Sequence, residues 1–136
     1  MNIKTAWQGK MEFAGTNEDG LTVVMDAKKA AGGEDKGQTP KQLVLSGLAG
    51  CTGMDVISIL EKMRVVPERF NIVVDAELTE EHPKTFKKIH IKYIVKGDVP
   101  ADKLEKAIKL SQERYCGVSE MLRKSAELTY EYVYET

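Results

Sequence analysis

Residues 39–55 have the sequence TPKQLVLSGLAGCTGMD and predict the start of a long central helix. Thr39 can accept a hydrogen bond from a free backbone N–H group at a helix start, and Pro40 fits the first helical turn. The apolar pattern continues beyond this stretch until Pro67, so the helix is expected to end near Arg64. Its first half is apolar on several sides, which predicts a buried position in the molecule.

Three glycines inside this helix call for an explanation. Gly47, Gly50 and Gly53 each cost about 1 kcal/mol relative to alanine in a helix interior, or about 3 kcal/mol together. One interpretation is the close approach of another backbone, where no side chain would fit. The other is access of a ligand to Cys51, which lies among them. The sequence leaves both interpretations open.

Alternating apolar and polar residues predict strands on both sides of the helix. Three short strands precede it, followed by a polar, glycine-bearing stretch over residues 27–38 that we interpret as a mobile loop. After the helix, residues 72–79 and 89–96 alternate and are separated by the turn residues Glu80–Pro83. This pattern predicts an antiparallel hairpin with one buried face.

The last third of the chain predicts two more helices and a strand. Pro100 opens a second helix that is expected to end near residues 115–117, and a short third helix holds Val118, Met121 and Leu122. Residues 128–135 alternate as a final strand. The predicted order is therefore β-β-β-α-β-β-α-α-β, an α+β fold on antiparallel sheets in a single domain over residues 1–136.

Composition and charge exclude several classes of protein. The chain has 136 residues, of which 42% are hydrophobic and 30% charged, and its net charge is -1. This near-neutral balance argues against nucleic acid or an anionic membrane as the main partner. The uncharged stretch 42–54 is shorter than the roughly 20 apolar residues that cross a bilayer. Since the N-terminus shows no signal pattern and the chain has only two cysteines, we expect a cytoplasmic protein.

The two cysteines, Cys51 and Cys116, are the candidate reactive residues. Both are flanked by small residues, which leave a sulfur accessible, and both fall at or in a predicted helix. Free cysteines are also among the most buried residue types, so a purely structural role stays open.

Other chemistry is less well supported by the sequence. A Cys/His metal site would need His82 and His90 to fold towards both cysteines, and we expect no metal site and no bound cofactor. Asp55 and Glu61 are interpreted as partners of lysine or as solvent-facing. Asp55, four residues after Cys51, would disfavour a thiolate there.

Residues 39–51 and 115–118 together resemble the OsmC/Ohr family of osmotically inducible and organic-hydroperoxide-resistance proteins, which act in stress responses. The resemblance extends over essentially the whole chain. It implies an intertwined homodimer and a thiol-dependent peroxidase that reduces organic hydroperoxides. In that mechanism Cys51 is the peroxidatic cysteine and Cys116 the resolving one, and an external dithiol, often lipoyl-linked, restores both thiols.

The sequence differs from the peroxidase pattern of this family at two places. Lys41 stands where active members carry a glutamate, and the first turn offers Lys10 where they use an arginine. The ammonium group of lysine cannot form the bidentate hydrogen bonds that the planar guanidinium group of arginine forms. Arg114 and Arg123 flank Cys116, but we interpret them as an ordinary solvated helix face. These differences motivate an alternative function, a small-molecule-binding or redox-sensing protein without peroxidase activity.

Overall fold

A computed structural model describes all residues, Met1–Thr136. Its elements follow the predicted order: β1 Ile3–Gly9, β2 Glu12–Asn17, β3 Thr22–Met25, α1 Pro40–Lys62, β4 Arg69–Leu78, β5 Phe86–Lys96, α2 Ala101–Leu110, α3 Gly117–Arg123 and β6 Glu127–Tyr134. The structure adds a 3₁₀ turn at Lys29–Ala31 and a π-helical turn at Ser111–Tyr115. The predicted α+β fold class is confirmed.

The chain forms two compact units, Met1–Leu45 and Ser46–Thr136, with the boundary inside α1. Each unit has a three-stranded sheet of its own. The assignment of residues 1–136 to a single domain stays a prediction.

The first unit is an antiparallel meander in the order β1-β2-β3. The loop after β3 is organised by the buried carboxylate of Asp26, which accepts backbone hydrogen bonds from Ala27 at 2.7 Å, Glu34 at 3.1 Å and Lys36 at 3.2 Å. A Cβ atom at Gly33 would lie 1.9 Å from the carbonyl oxygen of Ala27. The stretch predicted to be a mobile loop is therefore a folded-back segment held around one side chain.

The start of α1 agrees with the prediction. The backbone N–H of Thr39 donates to Gln42 Oε1 at 2.9 Å, and the backbone N–H of Gln42 donates to Thr39 Oγ1 at 3.4 Å. This reciprocal pair is a capping box, in which two side chains satisfy N–H groups that the helix leaves free.

The second unit contains the sheet β4-β5-β6, the part of α1 after Leu45, α2, the π-helical turn and α3. β4 and β5 form the predicted antiparallel hairpin, from Arg69 opposite Lys96 to Leu78 opposite Phe86. β6 is parallel to β5, with Lys88 opposite Glu127, so the prediction of antiparallel sheets is wrong for this strand. The connection through α2 and α3 is long enough to return the chain to the end at which β5 begins, which a parallel neighbour requires.

The core of this unit is built from β5, α1 and α2. Alternate residues of β5 are buried, and one stripe of α1 with i, i+4 spacing is buried: Ile89, Ile91, Tyr93 and Val95 on the strand, and Leu48, Thr52, Val56 and Leu60 on the helix. Within the single chain, the opposite side of α1 is apolar and exposed, and Met54 has 76% of its surface accessible. The prediction of burial on several sides of α1 is therefore not met in the monomer.

By length and composition alone, α1 could also cross a membrane. This is weak evidence, because the central helix of a soluble protein meets the same criterion. The stretch 42–54 is shorter than α1 because it contains no charged residue, whereas the longer apolar segment of α1 includes charged residues.

Candidate functional site

Cys51, Asp55 and Cys116 form a cluster in the second unit. Cys51 and Asp55 lie one turn apart on α1, and Cys116 lies between the π-helical turn and α3. Their two sulfur atoms and a carboxylate oxygen all lie within 4.8 Å of one another. Both thiols are free; Cys51 is partly exposed, while Cys116 is only 3% exposed. The fold thus brings together two cysteines that are far apart in the sequence.

The π-helical turn positions Cys116. The backbone N–H of Cys116 donates to the carbonyl oxygen of Ser111 at 2.7 Å, which closes a wider turn than an α-helix would. The Cys116 sulfur then caps α3, accepting hydrogen bonds from the backbone N–H of Ser119 at 3.4 Å and from its hydroxyl at 3.1 Å. Burial raises the pKa of the Cys116 thiol and Cys51 raises it further, while the two bonds from Ser119 oppose this shift.

Asp55 is held by a residue from the other side of the cluster. The hydroxyl of Ser111 donates to Asp55 Oδ2 at 2.9 Å, and Asp55 forms no ion pair. The interpretation of Asp55 as a partner of lysine or a solvent-facing residue is therefore wrong. The reason is that the π-helical turn after α2 hydrogen-bonds to this face of α1, which the sequence of α1 alone cannot show.

A chain of hydroxyl groups leads from Asp55 into the core. Thr52 Oγ1 lies 2.7 Å from Ser111 Oγ and 2.6 Å from Tyr93 Oη, and all three side chains are fully buried. Each hydroxyl has a single proton. Because Ser111 donates its proton to Asp55, it accepts from Thr52, and Thr52 in turn accepts from Tyr93. Burial raises the pKa of the Tyr93 phenol, although its bonds with Thr52 and Gln112 oppose the shift, so Tyr93 remains a proton donor at neutral pH.

Gln112 and Arg123 fix the inner end of this chain. Gln112 Nε2 donates to Tyr93 Oη at 2.8 Å and to Thr52 Oγ1 at 3.2 Å. Arg123 Nη2 donates at 3.1 Å both to Gln112 Oε1 and to the Gln112 backbone carbonyl oxygen. The guanidinium therefore sets the orientation of the amide. The interpretation of Arg123 as part of a solvated face needs correction, because its side chain also supports the buried network.

Arg114 plays no comparable role in the network. Its guanidinium lies 5.8 Å from the centre of the Tyr115 ring.

A cavity of about 170 Å³ borders Cys116, with Gln112 and Arg123 in its wall. This cavity lies beside the less exposed of the two sulfur atoms.

The helix glycines are not explained by close backbone contact. A Cβ atom at Gly47 or Gly50 would meet nothing within 4 Å, and one at Gly53 would lie 2.9 Å from the tip of the Ile72 side chain. Gly50 and Gly53 instead line an open apolar groove of about 460 Å³ between α1 and β4. Within the monomer, the interpretation that another backbone closely approaches these glycines is therefore wrong.

The cluster also bears on metal binding. Two sulfur atoms and a carboxylate oxygen are atom types that bind zinc, but they are one ligand short of a closed structural site. His90 hydrogen-bonds to Thr129 at 2.7 Å and to Glu131 at 2.5 Å on the sheet, and His82 lies in the β4–β5 turn. Neither histidine belongs to the group around the cysteines.

The fold and the cysteine pair together define an OsmC-like protein. The chain belongs to this family, since the family model described as OsmC-like protein matches residues 33–131. The resemblance seen in the sequence is thereby confirmed.

Among individual relatives, protein YhfA of Escherichia coli K12 is 32% identical over 133 residues, which cover 97% of this chain and 96% of YhfA. A crystal structure of a hypothetical protein from Aquifex aeolicus VF5 is similar with 31% identity and a TM-score of 0.82, covering 99% of this chain and 97% of that one. The organic hydroperoxide resistance protein OhrB of Bacillus subtilis matches with 19% identity and a TM-score of 0.69, covering 98% of both chains. At this identity, the likeness to OhrB shows the fold alone.

Several residues of the site were missed by the sequence analysis. Four of its residues belong to no recognisable motif: Thr52, Tyr93, Ser111 and Gln112. The one available signal was the four-residue spacing of Cys51 and Asp55, which places both side chains on one helix face.

Proposed function

We propose that this protein is a thiol-dependent peroxidase that reduces organic hydroperoxides, with Cys51 as the peroxidatic cysteine and Cys116 as the resolving one. The observation that carries this proposal is the proximity of the two free sulfur atoms, within 4.8 Å of each other. The family and the names of its structural neighbours, such as the OhrB protein, support a peroxide-related redox role.

The two cysteines differ in a way that supports this assignment of roles. Cys51 is partly exposed and is the cysteine open to a hydroperoxide, whereas Cys116 is only 3% exposed. A peroxidatic cysteine must be accessible to substrate and hold thiolate character. A resolving cysteine needs only to meet the oxidised partner, which the short distance allows.

The reaction balances with these two residues and a dithiol. The Cys51 thiol releases its proton, and the thiolate attacks the terminal oxygen of the hydroperoxide. The O–O bond breaks, Cys51 becomes a sulfenic acid, and the leaving alkoxide takes up the released proton to form an alcohol. Cys116 then attacks that sulfur, water leaves, and a disulfide forms. An external dithiol, of the lipoyl type, reduces the disulfide by exchange and is itself oxidised to a disulfide.

The remaining parts of the proposal concern the setting of the enzyme. We place the protein in the cytoplasm, because this reducing compartment keeps both thiols available. We also propose that it is a homodimer. The apolar, exposed side of α1 supports a subunit contact, since a monomer rarely exposes an extended apolar surface. No nucleic acid or membrane enters the proposed reaction.

Steady-state turnover of an alkyl hydroperoxide with a dithiol reductant tests this function. Cys51→Ser is expected to abolish turnover. Cys116→Ser is expected to retain one rapid oxidation per protein and to accumulate a sulfenic acid that a trapping reagent captures. Equal turnover rates in wild type and Cys51→Ser would refute the proposal.

A second candidate function is redox sensing on the same scaffold. This function is favoured by the two hydrogen bonds to the Cys116 sulfur. Both are donated by the neutral residue Ser119, and neither comes from a lysine or an arginine of the same unit. A sensor would form the disulfide once per equivalent of peroxide but would show negligible turnover with dithiols. The turnover assay separates the two functions.

A further inference from the structure

We propose that Asp55 is the proton-transfer residue of this site, taking the proton from the attacking thiol and returning it to the leaving oxygen. This inference rests on the peroxidase function proposed above.

The position of Asp55 fits the role. Its carboxylate lies within 4.8 Å of both sulfur atoms, a distance that one water molecule or a small side-chain movement spans. Oδ2 accepts the hydrogen bond from Ser111, while Oδ1 carries no hydrogen bond in the structure. One oxygen thus anchors the side chain and the other can exchange a proton with the reacting groups.

The buried hydroxyl chain holds this carboxylate in place through the hydrogen bond from Ser111. Because Gln112 Nε2 donates to both Tyr93 and Thr52, and Arg123 holds the amide in that orientation, a reversed chain would leave the Tyr93 hydroxyl proton without an acceptor. A fully satisfied buried network of this kind rigidifies the group at its end.

The titratable groups around Asp55 are few. Cys51 faces it from the same helix and Cys116 from the segment before α3. Tyr93 and Arg123 reach it only through the hydrogen-bond chain. No histidine and no other cysteine, aspartate or glutamate belongs to the cluster itself.

The proton balance closes over both chemical steps. In the first, the Cys51 S–H proton passes to Asp55, sulfur bonds to the terminal peroxide oxygen, and the O–O bond breaks. The proton on Asp55 then neutralises the leaving alkoxide as an alcohol. In the second, Asp55 takes the proton of Cys116 and gives it to the hydroxide that leaves the sulfenic acid, which forms water. The carboxylate is regenerated each time.

A merely electrostatic role of Asp55 predicts the opposite effect of its removal. A negative charge beside a thiol disfavours the thiolate. If charge were its only influence, Asp55→Asn would leave the oxidation rate unchanged or raise it. If Asp55 transfers the proton, Asp55→Asn slows the reaction even though the nearby charge is lost.

The experiment measures single-turnover oxidation of Cys51 by an alkyl hydroperoxide across neutral pH, with a chelator present to exclude bound metal ions. Asp55→Asn is expected to slow oxidation about 10² to 10⁴-fold, the usual range for a positioned acid or base. Its rate should rise tenfold per pH unit, as expected for a reaction limited by free thiolate, while the wild-type rate changes less. Asp55→Glu should restore part of the rate. Glu61→Gln, which removes an exposed carboxylate from the same helix, should match wild type.

Two further measurements keep the test decisive. Ser111→Ala should lower the rate less than Asp55→Asn and keep the wild-type pH dependence, as expected for a positioning residue. If Asp55→Asn fails to fold, the wild-type protein alone decides the question by comparing peroxide oxidation with alkylation of Cys51. If the rate of Cys51 oxidation by peroxide is strictly proportional, across neutral pH, to the thiolate fraction that alkylation measures, the inference is overturned.

The outcomes also separate this inference from the proposed function. A wild-type protein that reacts with hydroperoxide, together with an Asp55→Asn variant that reacts equally fast or faster, would overturn the role of Asp55 and leave the peroxidase intact. A wild-type protein that fails to react would overturn both.

Discussion

Ser111 and Asp55 are joined by a hydrogen bond of 2.9 Å across 56 positions of the sequence. This bond connects a buried chain of hydroxyl groups to the cluster that holds both cysteines. Every polar atom buried in the network has a partner. A polar chain in a hydrophobic core costs stability when any member is left unpaired. Its presence beside the cysteines is readily explained if the site needs a fixed carboxylate.

The first prediction concerns the stability of this network. Thr52→Val keeps the side-chain volume but leaves Tyr93 and Ser111 without their shared partner. We expect a loss of about 1–3 kcal/mol in the free energy of unfolding, the cost of unsatisfied buried polar groups. Denaturant titration measures it. Thr129→Val serves as the control, because Thr129 is also hydrogen-bonded but exposed, and its effect should be about 0.5 kcal/mol or less. Equal losses in the two variants would contradict the account.

The second prediction concerns the acidity of the Cys116 thiol. Burial raises its pKa, and the hydrogen bonds from Ser119 limit that rise. Ser119→Ala removes the hydroxyl donor, so the pKa should move further upward and alkylation of Cys116 at fixed pH should slow. The pH dependence of alkylation, measured in a Cys51→Ser background, gives the pKa. Ser125→Ala, at an exposed position after α3, should leave the profile unchanged, and a downward shift in Ser119→Ala would contradict the role of this bond.

The third prediction concerns the pH dependence of stability in the first unit. Burial acts to raise the pKa of Asp26, but the three backbone N–H groups that donate to its carboxylate outweigh this effect and lower the pKa below its usual 3.8. Its contribution to stability is therefore fully present above that value and is lost as the pH falls through the lower pKa of the folded protein.

Urea titrations of wild type and Asp26→Asn between neutral and strongly acidic pH test this third prediction. The variant should be less stable at neutral pH, and the difference should shrink in acid. Asp19→Asn, which neutralises an exposed carboxylate in the β2–β3 turn, is the matched control and should show little difference. A stability difference that grows in acid would contradict a lowered pKa of Asp26 in the folded protein.

The fourth prediction compares two glycines by the space around them. Gly47→Ala should stabilise the protein by up to about 1 kcal/mol, because alanine is the better helix former and nothing lies within 4 Å of the new atom in the monomer. Gly33→Ala should destabilise it, since the new atom would overlap the carbonyl group of Ala27. Thermal unfolding measures both. If Gly47→Ala is instead destabilising and favours monomers, a second subunit packs against this side of α1.

Much of the fold could be predicted from the sequence because it depends on local signals. Thr39 and Pro40 mark the start of α1, and alternation along β4 and β5 marks the hairpin. The parallel pairing of β6 could not be predicted, because strand direction depends on how α2 and α3 return the chain. Alternation along residues 128–135 is the same for either direction.

The site could be predicted only in part for a similar reason. Cys51 and Cys116 are recognisable as candidate residues, but their distance depends on the packing of α1 against the π-helical turn. The role of Asp55 depends on Ser111, a small polar residue that belongs to no recognisable motif. Polar pairs formed by tertiary packing leave no periodic signal in the chain.

The most direct test of the central claim is mass analysis of the reduced protein after one equivalent of an alkyl hydroperoxide. The account predicts the loss of two hydrogen atoms and, after proteolysis under non-reducing conditions, a single cross-link between the peptides that contain Cys51 and Cys116. Addition of a dithiol should reverse both changes. An unchanged mass, or a stable gain of oxygen on one cysteine without a cross-link, would contradict the two-cysteine mechanism.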